Sequence, residues 1–380
     1  MMMNLVIHDY FESLEGGGKL CSILAEELPA ALAYGFAKAY HPFLTLDGSF
    51  ICAQEMIDGF KEIVSWNNNR FVIRYNLDAF SSLPLWRQFK LAYTFAHKAT
   101  FLKKYHNVIY SGFYAPLAIH HHLSGNNILF CHTPPRFIYD QRDFYFSQVP
   151  FGLRFLLSGF IRYLQPRYEA AVDEMNVVIA NSEHVRQRIQ HFLGKDAVVV
   201  YPPCDIKRFV WVGQGDYFLS VGRLDPLKRV DFIVKAFLNM PDKRLIVTSG
   251  GEDFFKLRRL AKNASHISFT HWVDEQELAY LVGNAIAIIY VPKDEDFGMS
   301  AVESMAAGKP VIGVAEGGLL ETVIPGETGW LIDSPLKVEN LISLVDSITL
   351  DEALKMRKTC EEQARRFDKR LFLKNIREFL

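Results

Sequence analysis

The stretch that most limits the fold of this chain runs from residue 285 to residue 318. An apolar run at 285–291 (AIAIIYV) has the length and composition of a buried parallel strand. The chain then turns through Pro292, Lys293 and three consecutive acids, Asp294, Glu295 and Asp296, before reaching Phe297-Gly298-Met299-Ser300. Residues 301–307 are strong helix formers, and Ser300 is the expected N-cap. Gly308 stops the helix and Pro310 keeps it stopped. A second apolar run, 311–314, follows, with Gly317-Gly318 as a tight loop at its end. This order places a pocket at the carboxyl ends of parallel strands, where open α/β sheets bind their ligands.

The helix start at Phe297, Gly298, Met299 and Ser300 offers unpaired N–H groups and a partial positive charge to an anion. Glu295 stands before it and Glu303 about a turn into it, eight residues on. One carboxylate can face a ligand at the helix mouth while the other grips hydroxyls further along. A carboxylate accepts two hydrogen bonds in one plane, as a vicinal diol requires. The plain alternative is a helix carrying two solvated acids. The string DEDFGMSAVESMAAGKPVI, the GG loop after it, and GETGWLI at 326–332 together resemble the E-x7-E signature of family 4 glycosyltransferases. That family has the GT-B fold, two Rossmann-like domains facing each other across a cleft.

The chain has 380 residues, enough for two domains. A hydrophobic share of 49% with 22% charged residues fits a globular α/β protein. A net charge of −1 gives no strong pull toward nucleic acid. No apolar run reaches the roughly 18 residues needed to span a bilayer. The start, MMMNLVIHDY, lacks a basic n-region and reads as a first strand rather than a signal peptide. Cys21, Cys52, Cys131, Cys204 and Cys360 are scattered and never in a C-x-x-C spacing, so neither a disulfide framework nor a zinc site is expected. The cytoplasm is the simplest compartment.

In the first half, a strand at 5–8 precedes Gly16-Gly17-Gly18 and a helix over about 19–28. Strand, glycine loop, helix lets backbone N–H groups approach a phosphate, and a flexible loop is the alternative. Residues 79–139 contain no Asp or Glu, six Lys or Arg and six His, with Trp86, Phe89, Tyr93, Phe95, Phe101 and Tyr105 interleaved. After Asp140 and Asp143 acids are again absent until Glu169. Such a surface attracts anionic headgroups or phosphates; alternatively the aromatics are core and the charges a solvated face. His120-His121-His122 cannot all face one ion on a regular element, and they read as a loop or strand end. A strand at 128–131 delivers His132 and Arg136 together, fixed by Pro134 and Pro135, which is a good catalytic placement. HTPPRFIYD resembles the H-T-P-x-R-aromatic-x-x-D motif of a mannosyltransferase-like branch of the same family. The resemblance places His132 beside the transferred sugar, sets Arg136 against an acceptor or phosphate, and gives Asp140, with Arg136, to acceptor binding.

A strand at 198–201 ends the first half, and 202–216 reads as a linker. The second half restarts with a strand at 217–221 and Gly222-Arg223-Leu224-Asp225-Pro226-Leu227-Lys228. Arg223 and Lys228, five residues apart around a turn, can converge on a diphosphate, one as a planar fork and one as a point charge. This string resembles the family's G-R-L-x-x-x-K donor-phosphate motif. Ser249-Gly250 forms a loop after the strand at 245–248, and Trp272-Val273 stands where the family holds the nucleotide base by backbone contacts.

The resemblance therefore implies an acceptor-binding Rossmann-like domain at 1–205 and a donor-binding one at 206–360, with a final helix at 361–380 crossing back to the first. It implies a retaining glycosyltransferase, with GDP-mannose as the donor expected from the HTPPR string. The acceptor would be a saccharide or lipid-linked saccharide in cell-surface polysaccharide or glycolipid synthesis, at the inner face of a membrane. The catalytic set is His132, Glu295, Arg223 and Lys228. Donor binding falls to Gly16, Gly17, Gly18, Gly222, Arg223, Lys228, Ser249, Gly250, Trp272, Val273, Glu295, Phe297, Gly298, Met299, Ser300 and Glu303. No metal or other cofactor is expected, because two cationic side chains already serve the phosphates. The competing readings are a nucleotide-sugar epimerase on the same fold and a noncatalytic partner subunit.

Overall fold

The computed structural model describes residues 4–12, 16–38, 50–57, 60–67 and 70–380. The chain forms two compact units, Met1–Tyr201 with Leu373–Leu380, and Pro202–Phe372.

Among the described residues the first unit has nine strands: β1 (Asn4–His8), β2 (Ala31–Tyr34), β3 (Phe50–Ile57), β4 (Phe60–Asn67), β5 (Arg70–Asn76), β6 (Asn107–Ser111), β7 (Asn126–Cys131), β8 (Val177–Ala180) and β9 (Val198–Val199). They lie in the order β3-β4-β5-β2-β1-β6-β7-β8-β9. β3, β4 and β5 pair antiparallel, and every other pair in the sheet is parallel. Val6, Leu32, Ile109 and Leu129 are all buried, as central strands covered on both faces require. The order reverses between β1 and β6.

The three glycines at 16–18 are not a loop. They form the first turn of the helix Gly16–Glu27, entered through a left-handed φ of 48° at Gly16. At Gly17 the missing side chain serves packing, as shown below, whereas at Gly16 a Cβ would meet nothing within 4 Å and the left-handed φ is what favours glycine. The His120–His122 run also differs from expectation: His120 and His121 close a 3-10 turn, Ala115–His121, and His122 is buried behind it. Of the interleaved aromatics, Phe95, Phe101 and Tyr105 are core while Trp86 and Tyr93 are exposed.

The second unit has six parallel strands: β10 (Tyr217–Ser220), β11 (Arg244–Thr248), β12 (Ile267–His271), β13 (Ile288–Tyr290), β14 (Val311–Val314) and β15 (Gly329–Ile332). Their order is β12-β11-β10-β13-β14-β15, reversing between β10 and β13. The residues read as a linker are built into this unit. Phe209 is core, Cys204 N donates to Phe367 O at 2.8 Å, and the buried Lys309 donates to Gly213 O at 2.5 Å. The final segment divides rather than passing whole to the first unit. Gln363 donates to Thr322 O at 3.1 Å and Phe367 packs on Phe297, whereas Asn126 donates to Phe379 O at 2.8 Å. The division falls inside the helix Lys369–Arg377.

Candidate functional site

In the second unit the segments leaving β10 and β13, on either side of the reversal, bring together an ammonium and a carboxylate. Gly222 follows β10 with φ 130°, and a Cβ there would lie 3.3 Å from the Tyr290 ring. Asp225 accepts from the N–H groups of Leu227 and Lys228, winding a 3-10 turn, Pro226–Lys228, that aims Lys228 at the end of β13. Lys228 Nζ donates to Glu295 Oε2 at 2.7 Å and to Tyr290 Oη at 3.1 Å. Burial opposes the charge, yet the Tyr290 oxygen and the Glu295 carboxylate hold the ammonium above its usual range. Arg223 stays apart: its side chain is 60% exposed, with Nε 3.5 Å from Asp225.

The helix after Glu295 is Met299–Ala306, capped by Gly298 at φ 94°. Ser300 is therefore not the cap; its carbonyl accepts from Ser304 Oγ at 2.6 Å within the helix. A left-handed residue makes the entry here, and a Cβ on Gly298 would come 2.8 Å from Leu319 Cδ2. No side chain caps the helix among the described residues. Its start is left open to an anion. Glu303 lies in the middle of this helix with Oε1 3.5 Å from Arg208, which also pairs with Glu275 at 2.7 Å. Arg208 belongs to no local motif, so sequence reading misses it.

The glycine loop after β14 rests directly on the acidic loop. Gly318 N donates to Glu295 O at 2.8 Å, and a side chain on Gly318 would strike the Phe297 backbone. Glu316 completes the arrangement. It accepts from both Arg229 terminal nitrogens at 3.1 and 3.0 Å, from Ser334 Oγ at 2.7 Å and from Asp294 N at 3.1 Å. Against the upward push of burial, these donors hold its carboxyl below the usual range. Nearby, Leu224 N donates to Gly250 O at 2.9 Å and Ser249 N to His271 O at 2.9 Å. Gly250 must lack a side chain because the Trp272 indole covers it, and Trp272 remains half exposed beside Val273.

In the first unit the reversal is lined differently. His8, Ser111 and His132 lie at or just beyond the ends of the neighbouring strands β1, β6 and β7. His8 Nδ1 is 3.0 Å from Ser111 Oγ, which is 2.9 Å from His132 Nε2. Burial lowers the His132 pKa to about 4, and burial together with His132 lowers that of His8 to about 3. Both rings are neutral near pH 7. Gly17 faces the same ring: a Cβ there would sit 2.9 Å from His132 Nε2. Asp9, next after β1, accepts from the N–H groups of Phe113, Tyr114 and Ala115 at 2.6, 2.8 and 2.7 Å. Burial pushes its carboxyl up to about 6, and the three N–H donors pull the other way. Arg136 and Asp140 form an internal pair at 3.0 Å, and Arg188 meets the same Asp140 oxygen at 2.6 Å. The three groups sum to one net positive charge.

Among the described residues no group of three or more His, Cys, Asp or Glu is arranged to hold a metal, and no helix is long and apolar enough to cross a membrane.

Residues 204–367 match the family model of the glycosyl transferases group 1. An uncharacterized glycosyltransferase of Methanocaldococcus jannaschii is 28% identical over 207 residues, covering 53% of this chain and 57% of its own length. The Homo sapiens GDP-Man:Man(3)GlcNAc(2)-PP-Dol alpha-1,2-mannosyltransferase is 27% identical over 228 residues, covering 52% of this chain and 46% of its own. The chain thus spans about half the length of the curated relatives it matches. Sucrose-phosphate synthase from Thermosynechococcus elongatus superposes with a TM-score of 0.75 at 18% identity over 99% of this chain and 98% of that one. The fold, with its two parallel-sheet α/β units, is GT-B.

Proposed function

Since residues 204–367 belong to the glycosyl transferases of group 1, we propose that the protein moves a sugar from a nucleotide sugar to a hydroxyl acceptor with retention at the anomeric carbon. The observation that carries this reading is the partly buried Lys228 ammonium, held by Glu295 and Tyr290. A departing nucleoside diphosphate gains charge as its bond to the sugar breaks, and a fixed cation at that point lowers the barrier. Lys228 is the fixed cation. Arg223, exposed and loosely held, swings onto the diphosphate as a second one. Glu295 takes sugar hydroxyls once the diphosphate shares Lys228 with it. Glu303, tethered by Arg208, takes the ribose diol. The strand-end loops bearing Ser249, Gly250, Trp272 and Val273 take the base. His132 takes a hydroxyl or phosphate oxygen of the substrate. Two cations serve the phosphates without a metal, so turnover persists in EDTA.

GDP-mannose is the donor we favour, on the HTPPR string and on the mannosyltransferase name of the human relative. A saccharide carried on a lipid is the acceptor class we favour. Phe151, Leu153, Phe155 and Leu156 are exposed along a segment that also carries Arg154 and has no acid between Asp143 and Glu169. Apolar side chains beside arginine suit an anionic bilayer surface. The test is a thermal-shift panel of GDP, UDP, ADP and their sugars, followed by product analysis. A ligand at about 100 times its Kd adds about 2.7 kcal/mol of stability. No shift with any nucleotide sinks the reading, and a sugar altered without an acceptor makes the protein an epimerase. Vesicle sedimentation tests the surface: binding should rise with anionic lipid and fall with salt.

A further inference from the structure

Two side chains at the first unit's reversal, His8 and Ser111, have no part in the scheme above, yet they decide what His132 is able to do. The Ser111 carbonyl oxygen lies 3.2 Å from His8 Nδ1 and can only accept. His8 Nδ1 therefore carries its proton and directs it at the Ser111 carbonyl and hydroxyl oxygens together. That leaves the Ser111 hydroxyl proton for another acceptor, and His132 Nε2 stands 2.9 Å away. The Cys21 thiol also reaches Ser111, but sulfur is the weaker acceptor. The opposite arrangement, Nε2–H of His132 donating to Ser111 and Ser111 to His8, would set a bare His8 lone pair against the carbonyl. The fully buried Ser111 and the Gly17 backbone close the Nε2 edge of His132. His132 Nδ1 makes no hydrogen bond among the described residues. With both rings neutral, the remaining His132 proton belongs on Nδ1.

We propose that His8 and Ser111 are positioning residues that lock His132 in its Nδ1–H tautomer, so that His132 meets the substrate as a hydrogen-bond donor and not as a proton-abstracting base. This rests on the reading of His132 as a substrate contact. In this state Nδ1 already holds a proton and Nε2 is occupied by Ser111. The acceptor's proton goes to the departing diphosphate as its bond to the sugar breaks, and His132 steadies a hydroxyl or phosphate oxygen without changing charge.

The experiment has two arms on the full chain. Proton–nitrogen correlation spectra of protein with ring-15N histidine, His132 assigned by the loss of its signals in His132→Asn, should show Nδ1 protonated and Nε2 bare at neutral pH. In Ser111→Ala the same spectrum should shift toward a mixture of tautomers while the remaining histidine signals keep the folded pattern. In the second arm, His132→Asn, which keeps an N–H donor near the Nδ1 position, should retain at least tenfold more turnover than His132→Ala. A base would lose about 10²-fold or more in both variants alike. A protonated Nε2 in the first arm, or equal loss in Asn and Ala, overturns the proposal. The tautomer spectrum needs no substrate, so a nucleotide panel without a hit would sink the glycosyl-transfer reading and leave the tautomer assignment standing.

Discussion

At the reversal of the first sheet the chain places imidazoles; at the reversal of the second it places an ammonium against a carboxylate. Burial acts on both sets of groups, with opposite results. Among the described residues His8 and His132 have no carboxylate to answer, so they give up the proton and their pKa values drop to about 3 and 4. Lys228 has Glu295 at 2.7 Å and keeps its proton. The comparison teaches that the same topological feature can be tuned to neutral or to ionic chemistry by one partner residue. A neutral lining suits hydroxyl-rich ligands, and a retained cation suits a polyanion.

The hardest blow to the ionic side is Arg223→Ala with Lys228→Ala. Turnover should fall by about 10³-fold or more, with weaker binding of nucleoside diphosphates, since even one lost charge-stabilising donor costs about 10²–10³. Steady-state rates and calorimetry on the double variant check this, and intact turnover would break the comparison. Next comes Glu295→Gln, which leaves the partly buried Lys228 without its anion. A loss of about 10²-fold in kcat is expected, with free diphosphate bound no more weakly than before. On the neutral side, Gly17→Ala pushes a methyl against His132 Nε2. It should lower kcat about tenfold or more with unchanged nucleotide affinity, because small misplacements at a reacting centre are costly.

The smallest effect is on stability. An imidazole whose folded pKa lies below its unfolded value of about 6.5 contributes stability present above that pH and lost as pH falls toward the folded value. His8 and His132 should thus make stability fall from pH 6.5 toward about 4. Each contributes a slope of up to roughly 1.4 kcal/mol per pH unit. Asp9, raised from 3.8 to about 6, opposes them: its contribution is complete below 3.8 and lost as pH rises through about 6. His8→Asn with His132→Asn should leave the Asp9 slope alone, so that stability falls as pH rises from about 4 toward 6, and Asp9→Asn should steepen the original rise. Denaturant melts across pH 4–7 decide.

The second unit was the more legible in sequence, because its chemistry is local. The turn carrying Arg223 and Lys228, the strand at 311–314 and the spacing of Glu295 and Glu303 are all read along the chain. What spacing could not show was the pairing of Lys228 with Glu295, which depends on β10 and β13 lying side by side. The first unit hid more. His8, Ser111 and His132 are about a hundred and twenty residues apart in total, and only the strand order brings them together. Glycine misled twice. The run at 16–18 reads as a loop but winds as a helix, and Gly298 takes the cap position expected of Ser300 because a left-handed entry favours it. Arg208 and Glu316 act through partners distant in sequence, and no motif marks them.

Glu316 has a consequence for thermodynamics. One carboxylate fastens Arg229 after β10, Asp294 after β13 and Ser334 after β15. These three segments are thereby tied together before any ligand arrives. Association should therefore carry little penalty for ordering loops, and nucleotide capture by the second unit should show a modest entropy loss that grows when Glu316 is replaced by alanine.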